Sequence, residues 1–256
     1  MPGNSWLASF ISPRRPLRNR KSQKLSLERL ESRLAPATWT QLTNLMPESG
    51  QTLMLLSNGS VLVGAGSDFA SKDWFQLTPN SAGSYINGTY TQLASSNLER
   101  LFYASNVLPD GRVFVLGGEY SGPTTTQNWT NRGEIYNPVT NSWSPIANFP
   151  QSSFGDDPSE VLSDGTVLAG YLSGPQTYLY HPATNTWTAT GTKLRGDSSD
   201  EETWVKLPPT GLQTDGDILS FDVFNAGHAQ KYRAQNPATG ATSNTWIDAG
   251  TVPVTL

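Results

Sequence analysis

The sequence predicts an all-β chain built from a repeat of about fifty residues. Three observations carry this: a composition rich in turn formers and aromatics, a turn dipeptide that recurs at one period, and an octapeptide that recurs after it. The 256 residues include 23 Gly, 18 Pro and 8 Trp, with only 15% charged side chains. That charge fraction lies well below the roughly 25% of an ordinary globular domain. Such a chain has too many turns for a helical bundle and too many regularly spaced apolar runs for disorder. The length allows one or two domains. There is no cysteine, so disulfides, Cys-ligated metals and thiol nucleophiles are excluded from this chain.

The charge divides the chain in two. Residues 1–37 hold 8 basic and 2 acidic side chains, whereas the remainder holds 9 and 19. An acidic body with scattered lysines cannot offer the basic face that nucleic acid requires, so no nucleic-acid partner is expected. The basic head is expected to be a targeting or linker segment over 1–37. Leu27, Leu30 and Leu34 fall at helical spacing behind Ser26 and before Pro36, which predicts one short amphipathic helix in an otherwise disordered stretch. No run reaches the roughly 18 apolar residues of a membrane span.

The body, 38–256, is organised by its repeats. Asn58-Gly59, Asp110-Gly111, Asp164-Gly165 and Asp215-Gly216 recur at intervals of 52, 54 and 51 residues. An apolar run follows each one: SVLVGAG, RVFVLGG, TVLAGYL and DILSFDV. Asx-Gly between apolar runs predicts a hairpin, here of type I′ with both central residues at positive φ. The preceding runs TLMLLS, YASNVLP, PSEVLS and TWVKLP supply each hairpin's first strand. A second marker comes after each hairpin. Tyr136 to Trp143 (YNPVTNSW) and Tyr180 to Trp187 (YHPATNTW) are nearly the same octapeptide, with a looser copy from Asn236 to Trp246. Tyr ends a third strand, the Pro-x-Thr-Asn stretch turns, and Trp opens a fourth strand, its ring packed between sheets. Each repeat is thus a four-stranded antiparallel sheet, and a fixed period of such units predicts a β-propeller. Fourth-strand markers number five (Trp39, Tyr90, Trp143, Trp187, Trp246) against four hairpins. About four blades are expected, as part of a ring of six or seven.

The run ending in Gly117-Gly118, with Tyr136 and Trp143, resembles kelch repeats, the blade motif of one propeller class. The third copy has only Gly170 and the fourth Ser220-Phe221 where that family has a glycine pair. The resemblance covers about 38–256 and implies the fold; one such scaffold carries many functions. It includes galactose-oxidase-like copper radical enzymes, whose site needs a Cys cross-linked to a Tyr. Without cysteine that cross-link cannot form in this chain. The string LERLESRLAPA, Leu27 to Ala37, is similar to the N-terminal segment of secreted or surface proteins of some bacteria. It implies export or a cell-surface location.

Candidate site residues come from aligning Leu56, Leu108, Leu162 and Leu207, which close each first strand. Six and five residues upstream stand Gly50 and Gln51, Phe102 and Tyr103, Asp156 and Asp157, and Glu201 and Glu202. Arg100 stands two residues before Phe102. A propeller brings equivalent first strands to one channel mouth, so Arg100, Tyr103, Asp156, Asp157, Glu201 and Glu202 are the ligand-binding candidates. Clustered carboxylates suit a hard cation such as calcium, with Asp197 and Asp200 as further ligands; no other cofactor is expected. Paired carboxylates also serve as general acid and base where their environments separate them. His181 takes the turn place of Asn137, and His228 has no recognisable partner, so no histidine-based centre is expected. The first expectation is a non-catalytic module presenting loops to a protein or carbohydrate. The alternatives are a glycan-active enzyme using Asp156, Asp157, Glu201 and Glu202, and a purely structural repeat.

Overall fold

A computed structural model describes residues 39–66, 69–122, 126–225 and 227–251. The basic head, its expected helix and the last five residues lie outside the described residues. Residues 1–39 and 40–256 form two separate units, and every described strand belongs to the second.

Strands β1 (Gly50–Leu55), β2 (Val61–Ala65), β3 (Trp74–Thr78) and β4 (Thr89–Gln92) form the first blade. After β5 (Arg100–Leu101) the second blade begins with β6 (Ala104–Val107) and β7 (Val113–Leu116). The short β8 (Tyr120–Ser121) pairs with β5, and β9 (Gly133–Asn137) and β10 (Ser142–Pro145) complete that blade. The third comprises β11 (Ser159–Val161), β12 (Val167–Ala169), β13 (Tyr178–His181) and β14 (Thr186–Ala189). A single 3-10 turn, Leu194–Gly196, leads to the fourth: β15 (Val205–Lys206), β16 (Ile218–Phe221), β17 (His228–Gln235) and β18 (Thr242–Thr251). All pairings between these strands are antiparallel. Four blades stand where four repeats predict them. Trp39, by contrast, is fully exposed and belongs to no strand, so the fifth marker does not mark one: it lacks the Tyr and Asn that accompany Trp143 and Trp187.

The inner strands β1, β6, β11 and β15 run side by side, linked by Thr52–Ser105, Asn106–Ser159 and Lys206 to the Val161 carbonyl. Three apolar clusters fill the spaces between consecutive blades. One joins Met54, Leu62 and Trp74 to Val113, Val115 and Tyr136; the next joins Phe114 and Leu116 to Val167 and Tyr180; the third joins Leu168 and Leu179 to Ile218 and Tyr232. The outer flank of the first blade is covered instead by the segment before β1. There Thr43 donates to the Ile86 carbonyl and Met46 packs on Val63, Ala65 and Phe75.

The hairpin turns differ from the type I′ expectation. In the first three, the Asx has ordinary φ and only the Gly is left-handed: Gly59 at 80°, Gly111 at 83° and Gly165 at 85°. Leu56 pairs with Ser60, Leu108 with Arg112 and Leu162 with Thr166 across three-residue loops, the turn whose αL glycine creates a bulge. The Asx side chain instead accepts the amide two residues on, as Asn58 does from Ser60 and Asp164 from Thr166. Asp215-Gly216 is no turn at all. Leu207 pairs directly with Asp217, and residues 208–216 form a longer connection. Gly216 is there for space, since a Cβ would lie 1.5 Å from the Leu207 carbonyl oxygen.

The octapeptide clasps each blade to the one before. Asn141 Oδ1 accepts Tyr136 Oη (2.9 Å) and the Ala94 amide (2.9 Å), while Trp143 Nε1 donates to the Ala94 carbonyl (2.9 Å). The next blade repeats this with Tyr180, Asn185, Trp187 and Ala147, at 3.0, 2.7 and 2.9 Å. The fourth varies it: Tyr232 donates to Asn244 Oδ1, the Asn244 carbonyl accepts Gly191 N, and Trp246 donates to Thr177 Oγ1. Asn141, Asn185 and Asn244 all sit at left-handed φ of 48–53°, a conformation Asn tolerates better than other side chains. Asn185→Ala should cost about 1–3 kcal/mol by leaving two donors unpartnered, with further backbone strain. Asn185→Gly should recover only the strain part. Urea unfolding checks both, and an unchanged midpoint in either variant would show that the clasp does not stabilise the blades.

Candidate functional site

In an antiparallel four-stranded blade the first-to-second and third-to-fourth connections lie at one end. The second-to-third connections and the blade-to-blade crossings lie at the other. Phe102-Tyr103, Asp156-Asp157 and Glu201-Glu202 fall on the crossings, whereas Gly50-Gln51 opens β1. Their two members part company: Phe102 and Glu201 are exposed and Asp156 half-buried, whereas Tyr103, Asp157 and Glu202 turn inward. Phe102 (φ 53°) and Glu201 (φ 57°) are both left-handed, strain of a kind that concentrates at functional loops.

Most inward candidates have interior partners. Arg100, 1% exposed, bonds Glu134 at 3.0 Å and the carbonyls of Gly117 and Arg132. Glu202 accepts from Lys193, Ser220 Oγ (2.9 Å) and Trp204 Nε1 (3.0 Å); burial still raises its pKa against the pull of Lys193. Asp197 takes Lys193 on one oxygen (2.7 Å) and Phe224 N and Asn225 Nδ2 on the other. Burial opposes ionisation there, but Lys193 holds the carboxyl below its usual range. Asp197 therefore spends its lone pairs on the protein. Tyr103 lies under the first blade, its hydroxyl against Gly64. His181 bonds Thr188 (2.8 Å), and His228 opens β17. Among the described residues no three His, Asp or Glu side chains are arranged to hold a metal ion.

Asp156, Asp157, Asp200 and Glu201 do come together, and Glu119 joins them. Sequence alignment of the repeats misses Glu119 because it lies on the β7–β9 connection, the longest in its class and without counterpart in the other blades. The signal was its place directly after Gly117-Gly118, at φ 74° and 138°. The Asp156 carboxyl lies close to that of Glu119. Burial first, then Glu119, push Asp156 up to about 7. Asp157 is 3% exposed. Its Oδ2 accepts Gly155 N at 3.0 Å, while its Oδ1 has no partner. Burial, with Asp200 and Asp156, raises it to about 8. Burial and then Glu201 and Glu119 raise Asp200. Trp129 lies against Gly155, where an added Cβ would stand 2.7 Å from its Cδ1. Phe102 and Tyr120 meet edge to face at 6.1 Å, and the Phe102 carbonyl accepts Glu119 N. The result is a cluster of carboxyl groups flanked by aromatic rings.

The linkage has a definite sign. Folded Asp157 holds its proton to about pH 8, while an unfolded Asp releases it near about 4, so the native state binds more protons in between. Its contribution to stability is complete below about pH 4 and is lost as the pH rises toward about 8. The melting temperature should fall over that interval, and Asp157→Asn should flatten the fall with little effect at about pH 4. Scanning calorimetry across the range measures it; a parallel decline in both proteins would contradict the assignment.

A kelch motif model matches residues 100–150. The chain is 27% identical over 184 residues to a Kelch-like protein, terF, of Aspergillus terreus, an alignment covering 68% of this chain and 38% of that protein. It is 35% identical over 91 residues to a galactose oxidase of Gibberella zeae, covering 36% and 12%. The chain thus spans less than two-fifths of the length of these relatives. Among solved structures it superposes on YjhT with a TM-score of 0.56 at 16% identity, covering 81% of this chain and 68% of that one. It superposes on a copper-bound fungal alcohol oxidase of the AA5 family with a TM-score of 0.55 at 17% identity, covering 79% and 42%. The donors present here do not fit a copper radical centre: there is no cysteine, and the two histidines lie in separate strands. The repeats, the four antiparallel sheets and these matches together establish a kelch/galactose-oxidase-like β-propeller fold.

Proposed function

We propose that this chain is a non-catalytic propeller module that holds a partner protein against its crossing end, deployed on an exported or surface protein. One observation carries the reading. Among the described residues from Thr40 on, every exposed Phe or Trp (Phe69, Phe102, Trp129, Phe221 and Phe224) stands at that end. The opposite end exposes Ile86, Val139 and Leu212 and no described Phe or Trp. Exposed aromatics gathered on loops of a rigid scaffold are what a protein-binding surface uses as anchors. A kelch-like fold supports a protein-binding or structural repeat module. The basic head and its resemblance to bacterial export segments support the location. No helix among the described residues is long and apolar enough to cross a membrane.

Immobilised protein should capture a partner from extract of the source organism. A Phe102→Ala/Trp129→Ala/Phe224→Ala variant should lose at least tenfold of that capture, and Ile86→Ser/Val139→Ser/Leu212→Ser should retain it. Equal loss in both variants would end the reading. Retention of an oligosaccharide on a glycan array without any captured protein would replace it with carbohydrate binding.

A further inference from the structure

We propose that a cavity at the seam of the first two blades takes an acidic side chain of the protein partner, its carboxylate held by the Arg132 guanidinium. The inference rests on the protein-binding reading above and names what the partner must present there.

The cavity, of about 300 Å³, draws its walls from several elements. Asn97 and Arg100 come from the crossing between the first two blades, Arg132 and Glu134 from the start of β9, and Trp143 and Asn148 from β10 and the crossing that follows. Their hydrogen bonds show what the cavity is short of. The acceptors of the buried wall are taken. Glu134 Oε1 holds Arg100 Nη2 at 3.0 Å, and Glu134 Oε2 holds the Asn97 amide at 2.9 Å and Nδ2 at 2.6 Å. The Arg132 carbonyl holds Gly117 N at 3.0 Å and Arg100 Nη1 at 2.8 Å. Donors are left over. Arg100 Nε, on a residue 1% exposed, has no acceptor. The exposed Arg132 guanidinium and Asn148 side-chain amide have no hydrogen-bond or ion-pair partner among the described residues. Buried polar atoms are rarely left unpaired without a function or a missing ligand. What this wall lacks is an acceptor.

Charge and size narrow the acceptor to a carboxylate. Two guanidinium groups face one carboxylate on the wall, and Arg100 is the one that Glu134 takes. One positive charge remains, on Arg132, which matches a single carboxylate better than a doubly charged phosphate. The planar guanidinium fork also fits a carboxylate through two parallel hydrogen bonds. A volume at the lower bound of small-molecule sites suits a side chain rather than a cofactor. Trp143, Pro145 and Ile146 give the cavity an apolar side for the methylenes of a glutamate. Its crossings and the start of β9 place it at the same end as the exposed aromatics, so one partner surface can engage both.

The full chain, with its tryptophan indoles observed by NMR, should be titrated with a capped Gly-Glu-Gly peptide, its glutamine twin and sodium phosphate. The glutamate peptide is expected to shift the Trp143 indole saturably, at least fivefold more tightly than either of the others. Arg132→Gln should weaken it at least tenfold, and Arg132→Lys should recover part of the loss. Arg132 is exposed and its side chain unpaired, so an unchanged melting temperature is expected and certifies each variant's fold. Arg112→Gln, at the opposite end, should bind the peptide as the wild type does. Equal binding of the glutamine twin, an unaffected Arg132→Gln, or an equal loss in Arg112→Gln would each overturn the inference. Tighter binding of phosphate would overturn the carboxylate assignment. Partner capture by Arg132→Gln separates this from the broader reading. Full capture sinks the cavity inference and spares protein binding. Absence of capture by the wild type sinks protein binding, and the glutamate titration then upholds or overturns the carboxylate site on its own result.

Discussion

Each fourth-strand tryptophan reaches across to the blade before it, and the rest of the structure depends on that reach. Trp143 and Trp187 donate to the carbonyls of Ala94 and Ala147, whose amides are held by Asn141 and Asn185. One residue of the preceding crossing is thereby gripped by both its backbone groups, and the Tyr hydroxyl fixes the Asn that does half the gripping. The rings serve the same contact. Trp143 lies 4.8 Å from Trp74 of the first blade and 5.0 Å from its own Tyr136. Hydrogen bonds of about 1 kcal/mol each would not decide much alone. Placed on apolar faces that must be buried, they choose the angle at which the faces meet. The first blade has Leu77, Gly88 and Tyr90 in the corresponding places and no such grip, and its outer flank is covered by its own leading segment.

Gripping the start of each crossing leaves the end of it free to vary. Three of the aligned pairs occupy that end and Gly50-Gln51 the matching start of β1, and one residue of each pair is committed to the interior. Gln51 donates to the carbonyls of Ala65 and Arg100, Glu202 takes Lys193, and Asp157 takes the Gly155 amide. Its neighbour faces outward, and there the repeat varies: Gly50 and Phe102 stand where the third and fourth blades carry the carboxyls of Asp156 and Glu201. An ordered scaffold with unrelated side chains at equivalent exposed positions is how repeat folds acquire a specific surface.

The same division explains what was legible in the sequence. The turn dipeptide serves the first three blades and the octapeptide, strictly or loosely, the last three, so period, strand order and blade number could be read directly. Asp215-Gly216 misled because the dipeptide matches while the need differs: Gly216 makes room for the Leu207 carbonyl, and Asp215 serves Ser163 and Lys206. Trp39 misled in the same way, a tryptophan without the Tyr and Asn that give the others their role. In the site, alignment found Asp156 and Glu201 but could not tell outward from inward, since alternation in a crossing of irregular backbone follows no fixed period. Alignment of the repeats missed Glu119 and Trp129 for a deeper reason. They lie on a connection that no other blade matches, and repetition carries no signal where function departs from it.

The acidity of the body does not by itself make the crossing end acidic in any useful sense, because its carboxylates fall into two populations. At the opposite end, Asp215 and Asp217 are drawn below the usual carboxylate range. Burial works against this, but Ser163 and Lys206 prevail at the first, and Arg233, Gln213 and Lys231 at the second. Those charges are neutralised where they stand and project little field. Asp156, Asp157 and Asp200 are raised, by burial first and by one another second. The charges acting on Asp156 and Asp157 are acidic, while Arg100 and Lys193 are buried against Glu134, Asp197 and Glu202. The distribution of charge, rather than its total, is what distinguishes the two ends.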